Sequence, residues 1–556
     1  MEKKCWYKEM AVYQIWCRSF CDGNGDGIGD LWGVLSKLDY IASLNVDGIW
    51  FSPLYPSPNA DYGYDISDYK SIHPDFGDLE VFKQVLDGAH ERGLRVFMDL
   101  VINHTSDEHP WFKSSRSSKQ SPYRDYYYWR PGKGKKRPPN NWDSLFEGGA
   151  WEYDKRTDEW YMHIFSKKQP DLNMANPKVR EEVKDIMRFW LDMGVDGFRE
   201  DVITYIAKAD GLPDAKLKLP AATGMKFYTN LPKVHDYLAE FKRDVLDFYD
   251  CFTVGEGPRM EPEVALSYVR EGKGKVLDMM INFSHMEADC FITDFMQRPF
   301  DLIKLKKAFT KWQTQMYGKG WNALYMENHD HPRIISRYGS EKYRVESGKS
   351  IAASYLFQRG TPFVYQGQEI GMVNTPLKSL DEYKDIMVKN NARIARSLGL
   401  SKATVLKLAQ KASRDNARTC MQWSDAPNAG FSKAKPWFVV NPNYRSINVE
   451  SQQDDENSLL NFYRDALQFR RDNPVVVYGD YAEHCPKSKE LYVYERNLAG
   501  KKLLVICSFS ENPVRFDAPE GIVLDESKQV FGNYENNFVI ANGFTTRPYE
   551  MRVYLF

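Results

Sequence analysis

The 556-residue chain has no surplus of either charge, since 75 Lys and Arg stand against 76 Asp and Glu. A balance of that kind offers no attractive field to nucleic acid or to an anionic membrane, which leaves a neutral small molecule as the expected partner. The chain has no apolar run long enough to cross a bilayer, and residues 1–10 contain no apolar segment of a signal peptide. A cytoplasmic protein is expected, a monomer or weak homo-oligomer. The eight cysteines, at 5, 17, 21, 251, 290, 420, 485 and 507, form no CxxC pair. That scatter argues against a disulfide framework or a zinc site and for reduced thiols. Internal repeats and low-complexity tracts are absent as well.

What the chain does have is aromatic surface, with 14 Trp and 34 Tyr. Flat apolar rings with polar edges suit the faces and hydroxyls of sugars. The length exceeds one ordinary domain. Eight short apolar stretches, at 12–16, 46–51, 94–101, 195–201, 252–256, 276–281, 323–326 and 362–365, alternate with amphipathic helical segments. This alternation predicts an α/β fold, a (β/α)8 TIM barrel. The polar stretch between the third and fourth strands predicts an inserted lid domain, because a connection of that length needs structure of its own. Helical segments at 380–398, 401–411 and 458–472 are expected to complete the barrel. Beyond Pro474, alternating stretches at 490–495 and 502–507 predict a C-terminal antiparallel β domain of sandwich type. The expected division is 1–103 and 172–478 for the barrel, 104–171 for the inserted domain and 479–556 for the sandwich.

Barrel enzymes carry their chemistry at the C-terminal ends of strands. Four of the predicted strands end in polar groups: Asp99 with Asn103 and His104, Arg199 with Asp201, then Glu256, then Glu327 through Asp330. On an extended strand Arg199 and Asp201 share one face while Phe198 takes the other. The guanidinium is therefore expected to hold Asp201 ionised, the state of a carboxylate nucleophile. Glu256 has no cation beside it in sequence, and crowding by Asp201 and Asp330 would raise its pKa, as suits a general acid. Each carboxylate alone reads equally well as a helix cap or salt bridge. Four of them at one mouth point to glycoside hydrolysis, which needs one ionised and one protonated carboxyl flanking the bond.

These stretches, Asp99-Leu-Val-Ile-Asn103-His104, Gly197-Phe-Arg-Glu-Asp201, Val254-Gly-Glu256 and Asn328-His-Asp330, resemble the four signature regions of the α-amylase family, glycoside hydrolase family 13. Gln169-Pro-Asp-Leu-Asn173 resembles the further signature of its oligo-1,6-glucosidase branch. The likeness continues through Gly63 to Tyr69, Tyr365 to Gly371 and Arg414 to Trp423. It implies a retaining mechanism, with Asp201 as nucleophile, Glu256 as acid and base, and Asp330 stabilising the distorted sugar. By the same resemblance His104, Arg199 and His329 serve the sugar in the −1 subsite and Tyr64 stacks on it. Asp61 with Arg418 closes the pocket at the non-reducing end, and Glu369 contacts the +1 sugar. Such closure makes an exo-acting α-glucosidase. Val202, directly after the nucleophile, accompanies α-1,6 cleavage in relatives where Ala accompanies α-1,4 cleavage, although strand alternation would point Val202 away from the site.

Three features depart from the branch. Glu200 and Glu327 stand where relatives carry uncharged residues, and Gly257-Pro258-Arg259 replaces the usual turn after the acid. By alternation Glu200 faces the helices, where a carboxylate needs a partner or water. A separate stretch, Asp22-Gly-Asn24-Gly-Asp26-Gly-Ile28-Gly-Asp30, opens like a calcium loop but has Gly33 at the twelfth position, so it is no EF-hand. A structural Ca2+, or Mg2+, is expected on Asp22, Asn24, Asp26, the Ile28 carbonyl and Asp30. Three other activities compete with α-1,6 hydrolysis: α-1,4-glucosidase, sucrose isomerase or sucrose-hydrolysing enzyme, and a silent binding protein on the same barrel. Isomerising relatives carry Arg-Leu-Asp-Arg-Asp where this chain is expected to read Lys304 to Ala308, and silent relatives lack the carboxylates.

Overall fold

The computed structural model describes residues 5–134, 137–146, 148–216, 223–291, 295–535 and 540–556. Eight strands form where the apolar stretches predict them: β1 Val12–Ile15, β2 Gly48–Phe51, β3 Arg95–Leu100, β4 Gly197–Glu200, β5 Phe252–Gly257, β6 Met279–Asn282, β7 Ala323–Leu324 and β8 Thr361–Tyr365. They pair in the order β7-β8-β1-β2-β3-β4-β5-β6. A parallel bridge between Met280 and Asn322 closes β6 onto β7, and the sheet becomes a barrel. Parallel strands buried on both faces must be apolar throughout. Of all eight, only Arg95 at the start of β3 is less than fully buried.

Entry into β4 shows how local sequence places the site. Asn176 caps helix α1 (Pro177–Met193) by accepting from the Lys178 N–H, Pro177 opens its first turn, and Gly194 ends it at φ 110°. Two residues later Gly197 begins the strand, and a Cβ there would lie 2.1 Å from the Phe252 carbonyl oxygen. Glycine lets β4 and β5 approach, which is what brings their polar ends together.

The stretch after β3 forms a three-stranded antiparallel sheet of Trp129–Arg130, Glu159–Met162 and Trp151–Asp154. Its core, with Trp142, Trp151 and Ile164, takes in Tyr205, Leu212 and Tyr228 from the segment after β4. Two helices differ from expectation. Helices α2 (Ile386–Ser397) and α3 (Lys402–Ala412) do not complete the barrel; they bury Val388, Ala392, Ala395, Val405 and Ala409 in a small core of their own with Phe295 and Phe438. The barrel wall is covered instead by α4 (Leu459–Asp472), whose Leu460, Phe462 and Leu467 join the main core. Amphipathicity shows that a helix has a buried face, not what it is buried against.

The C-terminal region is a five-stranded antiparallel sheet, Ala482–His484, Leu491–Leu498, Lys501–Ser508, Met551–Leu555 and Gln529–Gly532 in spatial order, with two short ladders beside it. Alternation decides its packing. Tyr492, Tyr494, Leu503 and Val505 face the barrel core, while Leu491, Val493, Leu504 and Ile506 face a second core with Phe516 and Phe544. No helix among the described residues is long and apolar enough to cross a membrane.

Candidate active site

A cavity of about 910 Å3 opens at the C-terminal mouth of the barrel, and Asp201, Glu256 and Asp330 all line it. At its floor lies Arg199, 1% exposed. One guanidinium nitrogen donates to Asp99 Oδ1 at 2.9 Å and to Asp201 Oδ1 at 2.6 Å; the other pairs with Glu256 Oε1 at 2.6 Å. The second Glu256 oxygen accepts from the Val202 N–H at 3.1 Å. Glu256 therefore does have a cation. β4 and β5 run side by side with Arg199 opposite Val254, so a residue two positions farther along β5 reaches the same guanidinium. Neighbouring strands are far apart in sequence, and adjacency along the chain cannot show this.

The ionisation of the site also differs from the simple ion-pair expectation. Burial pushes Asp201 up from its ordinary range, and the Glu256 and Asp99 carboxylates push it further against the pull of Arg199. Burial likewise raises Glu256, with Arg199 opposing and Asp330 adding to the rise. Asp99, buried beside the same arginine, is raised to about 6. Three carboxyls crowd one guanidinium, and at Asp201 and Glu256 burial outweighs its pull, so both take up a proton more readily than a free carboxyl does.

Asp330 is the opposite case. Against the cost of burial, His329, Arg414 and Arg418 hold it well below the usual carboxylate range. His329 Nε2 lies 3.1 Å from one oxygen, and the other accepts from Arg414 and Arg418, each at 3.1 Å. His329 is held in turn by Gln14 at 2.7 Å and by the Tyr64 hydroxyl at 2.7 Å. Its ring stacks between Tyr64 and Trp16, each with its centroid 5.2 Å away. Burial lowers His329 and His104 to about 4, so both rings are neutral near pH 7 and present one N–H donor each.

The inner end is closed by a different pair from the one the resemblance implies. Asp61 bonds Arg414 at 3.3 Å, while Arg418 turns to Asp330 and to the His329 carbonyl at 3.0 Å. Arg414 also binds Asp385 at 2.7 Å, at the start of α2. Gln169 completes the wall, donating to Asp61 at 3.3 Å and lying 3.1 Å from His104 Nε2. Arg414 and Gln169 both stand inside signature stretches, where the signal was present though the roles were not. Asp385, Gln14 and Trp16 carry no such signal.

Val202 reaches the cavity because β4 has already ended at Glu200. The chain turns at Val202 into the left-handed region, φ 37° and ψ 38°, and the side chain lines the cavity. A β-branched residue there is strained, and such strain collects at sites the surrounding fold holds firmly. Pro258 and Arg259 also line the cavity, with Arg259 at φ 52°.

Three other carboxylates lie elsewhere. Glu369 is not in contact with the cavity: one oxygen accepts from Tyr13 and Tyr40, each at 2.7 Å, in the protein interior. Its motif sits at a strand end, but its side chain turns inward between two phenols. Glu327 pairs with Arg333 at 2.9 Å and caps the Ile334 N–H at 2.7 Å, away from the leaving-group side. Glu200 faces the helices as alternation predicts and is completely buried, with neither oxygen hydrogen-bonded. Burial, and secondarily Asp278, raise it to about 8, so it is a neutral acid near pH 7.

In the loop at 22–30 the expected metal ligands are turned onto the backbone. Asp22 accepts from the N–H groups of Gly25 and Gly27, Asn24 from Asp26, Asp26 from Ile28, and Asp30 from Asn24 and Gly33. Among the described residues no group of three His, Cys, Asp or Glu side chains is arranged to hold a metal ion. The donor set is nonetheless one of hard oxygens in a single loop, the chemistry that suits calcium.

A barrel with three carboxylates lining one cavity at the C-terminal ends of its strands is the arrangement of a glycoside hydrolase. The comparisons agree. Residues 14–479 match the alpha amylase catalytic domain. The oligo-1,6-glucosidase of Parageobacillus thermoglucosidasius is 47% identical over 558 residues, covering 99% of both chains. Isomaltulose synthase from Klebsiella sp. LX3 superposes with a TM-score of 0.95 at 39% identity, and trehalose-6-phosphate hydrolase from Bacillus licheniformis with 0.93 at 41%, each over 99% of both chains. The chain belongs to the alpha-amylase family.

Proposed function

We propose that this enzyme is a retaining, exo-acting α-glucosidase that hydrolyses α-1,6 bonds at the non-reducing end of isomaltose and short isomalto-oligosaccharides. The observation that carries the reading is the interlocked polar wall of the cavity: Asp61 bonds both Arg414 and Gln169, and all three line it together with Asp201, Glu256 and Asp330, an arrangement that suits capture of a terminal glucosyl unit. Retention is supported by the single guanidinium that bonds both Asp201 and Glu256. Carboxyls bridged in that way suit the ~5 Å spacing of double displacement, not the ~6.5–9.5 Å that admits a water between inverting carboxyls. Asp201 attacks the anomeric carbon while Glu256 gives its proton to the departing oxygen. Glu256, now ionised, takes a proton from the water that releases the sugar.

Linkage preference rests on Val202, which narrows the wall beside the leaving sugar. The expected result is a higher kcat/KM on isomaltose than on maltose, with Val202→Ala shifting that ratio roughly tenfold toward maltose. A wild-type preference for maltose would overturn the α-1,6 reading. Sucrose belongs in the same assay, because Lys304 to Ala308 lie on the helix Leu302–Met316, where Lys306 bonds carbonyls of residues 485, 488 and 491. That stretch does not line the cavity, so its sequence carries no information about capture of fructose.

The loop at 22–30 would hold a structural Ca2+ or Mg2+ once its side-chain oxygens turn from backbone N–H groups to the ion, and a chelator should then lower Tm. The buried thiols of Cys17, Cys21, Cys420 and Cys507 support a reducing, cytoplasmic setting and a monomer or weak homo-oligomer completes the reading.

A further inference from the structure

The cavity does not end at the leaving sugar. Its volume, about 910 Å3, lies at the upper end of the ~300–1,000 Å3 range of ligand clefts. Beyond Glu256 and Val202 it continues along two elements, one of them tied to the inner end only through Asp385 at its start.

One is the turn at 286–291. Arg337 fixes it by donating to the Met286 carbonyl at 2.6 Å and clasping Asp289 at 2.6 and 2.9 Å. The Phe291 N–H bonds the Met296 carbonyl at 3.1 Å. Phe291 thus stands at the cavity wall, 52% exposed, with the Arg298 guanidinium 4.0 Å over one face of its ring. An exposed phenyl ring backed by a cation on one side has its other face available for stacking.

The other element is α2, which has two working faces. Val388, Ala392 and Ala395 pack into the small core with Phe295, whereas Met387, Asn391 and Ile394 line the cavity. Both sets follow i, i+4, i+7 spacing, so each forms one stripe. Ile394 is 46% exposed, although it sits beside a face that buries its apolar neighbours. Asn391 supplies a hydrogen-bonding group in the same stripe.

We propose that Phe291 and the Met387-Asn391-Ile394 stripe of α2 form an outer subsite that holds a third glucosyl unit, and so set the enzyme's preference for chains longer than a disaccharide. The inference rests on the exo-glucosidase reading above. A pyranose offers apolar C–H faces and equatorial hydroxyls. The phenyl ring and Ile394 meet the first, and the Asn391 amide meets the second.

The test compares kcat/KM on trisaccharide and disaccharide in both the α-1,6 and α-1,4 series. Phe291→Ala should lower the trisaccharide-to-disaccharide ratio roughly tenfold, Ile394→Asp should lower it too, and Phe291→Tyr should retain it. A ratio unchanged in both disruptive variants, or loss of equal size on both chain lengths, overturns the subsite. An error in linkage would appear as a change of preferred series while leaving the length ratio readable. Calorimetry on the slowed Glu256→Gln variant supplies a reading without turnover: its preference for the trisaccharide should disappear when Phe291→Ala is added, and a preference that persists rejects the proposal.

Discussion

The two ends of the cavity are built in opposite ways. At the inner end the polar side chains interlock and are mostly buried: Arg414 bonds Asp61, Asp330 and Asp385, and His329 contacts Gln14, Tyr64 and Asp330. At the outer end Phe291 and Ile394 stand half exposed, the first on a turn held by Arg337 and the second on a helix that packs into a small separate core. A network of buried charges holds one geometry and tolerates little change, because removing one member leaves the others unpaired in a low dielectric. An apolar wall grips loosely and accepts substrates of several lengths. Catalysis is therefore expected to depend on the inner end, and chain-length preference on the outer.

The largest effect should follow from the catalytic pair. Asp201→Asn should cost on the order of 10^4-fold in kcat, and Glu256→Gln about 10^2- to 10^4-fold, with folding intact by circular dichroism. Activity near that of wild type in either variant would remove these residues from the chemistry. A smaller effect should come from Arg414→Met, which takes the cation from buried Asp61 and Asp385 and leaves Asp330 with Arg418 alone. Activity should fall about 100-fold through misplacement of the −1 sugar, with KM and kcat both affected. If Arg418→Met proves the more damaging for binding of the terminal glucosyl unit, the inner wall is closed by Arg418 and not by Arg414.

The third prediction concerns stability. Glu200 is raised to about 8 in the folded chain against an ordinary 4.5. The fold keeps a proton that the unfolded chain releases, so this contribution is fully present below pH 4.5 and is lost as pH rises toward 8. Glu200→Gln carries no such proton. Its stability relative to wild type should rise by up to about 4 kcal/mol between pH 4.5 and 8 and then level off. Denaturant titrations at several pH values that run parallel for the two proteins would contradict the burial argument.

How much of this was legible in the sequence follows from the physics of each part. The eight strands could be read because parallel strands buried on both faces are apolar runs, and the site's carboxylates because they close those runs. Alternation placed Glu200 correctly. The Arg199 to Glu256 contact was hidden, since it crosses between strands whose register the sequence does not print. The pairing of Asp61 with Arg414 spans 353 positions and depends on which of two nearby arginines the loop presents. Glu369 misled because its motif marks a strand end, whereas the direction of its side chain is settled by Tyr13 and Tyr40. Helices α2 and α3 showed their amphipathic pattern, but their partner was Phe295 and not the barrel.

The measurement that bears most directly on the account is a proton NMR time course of isomaltose hydrolysis, observing the anomeric signals before mutarotation. A retaining exo-α-1,6-glucosidase with Asp201 and Glu256 on one guanidinium should release α-glucose first from the non-reducing side. Initial appearance of β-glucose from that side, or isomaltose left intact while maltose is consumed, would contradict it.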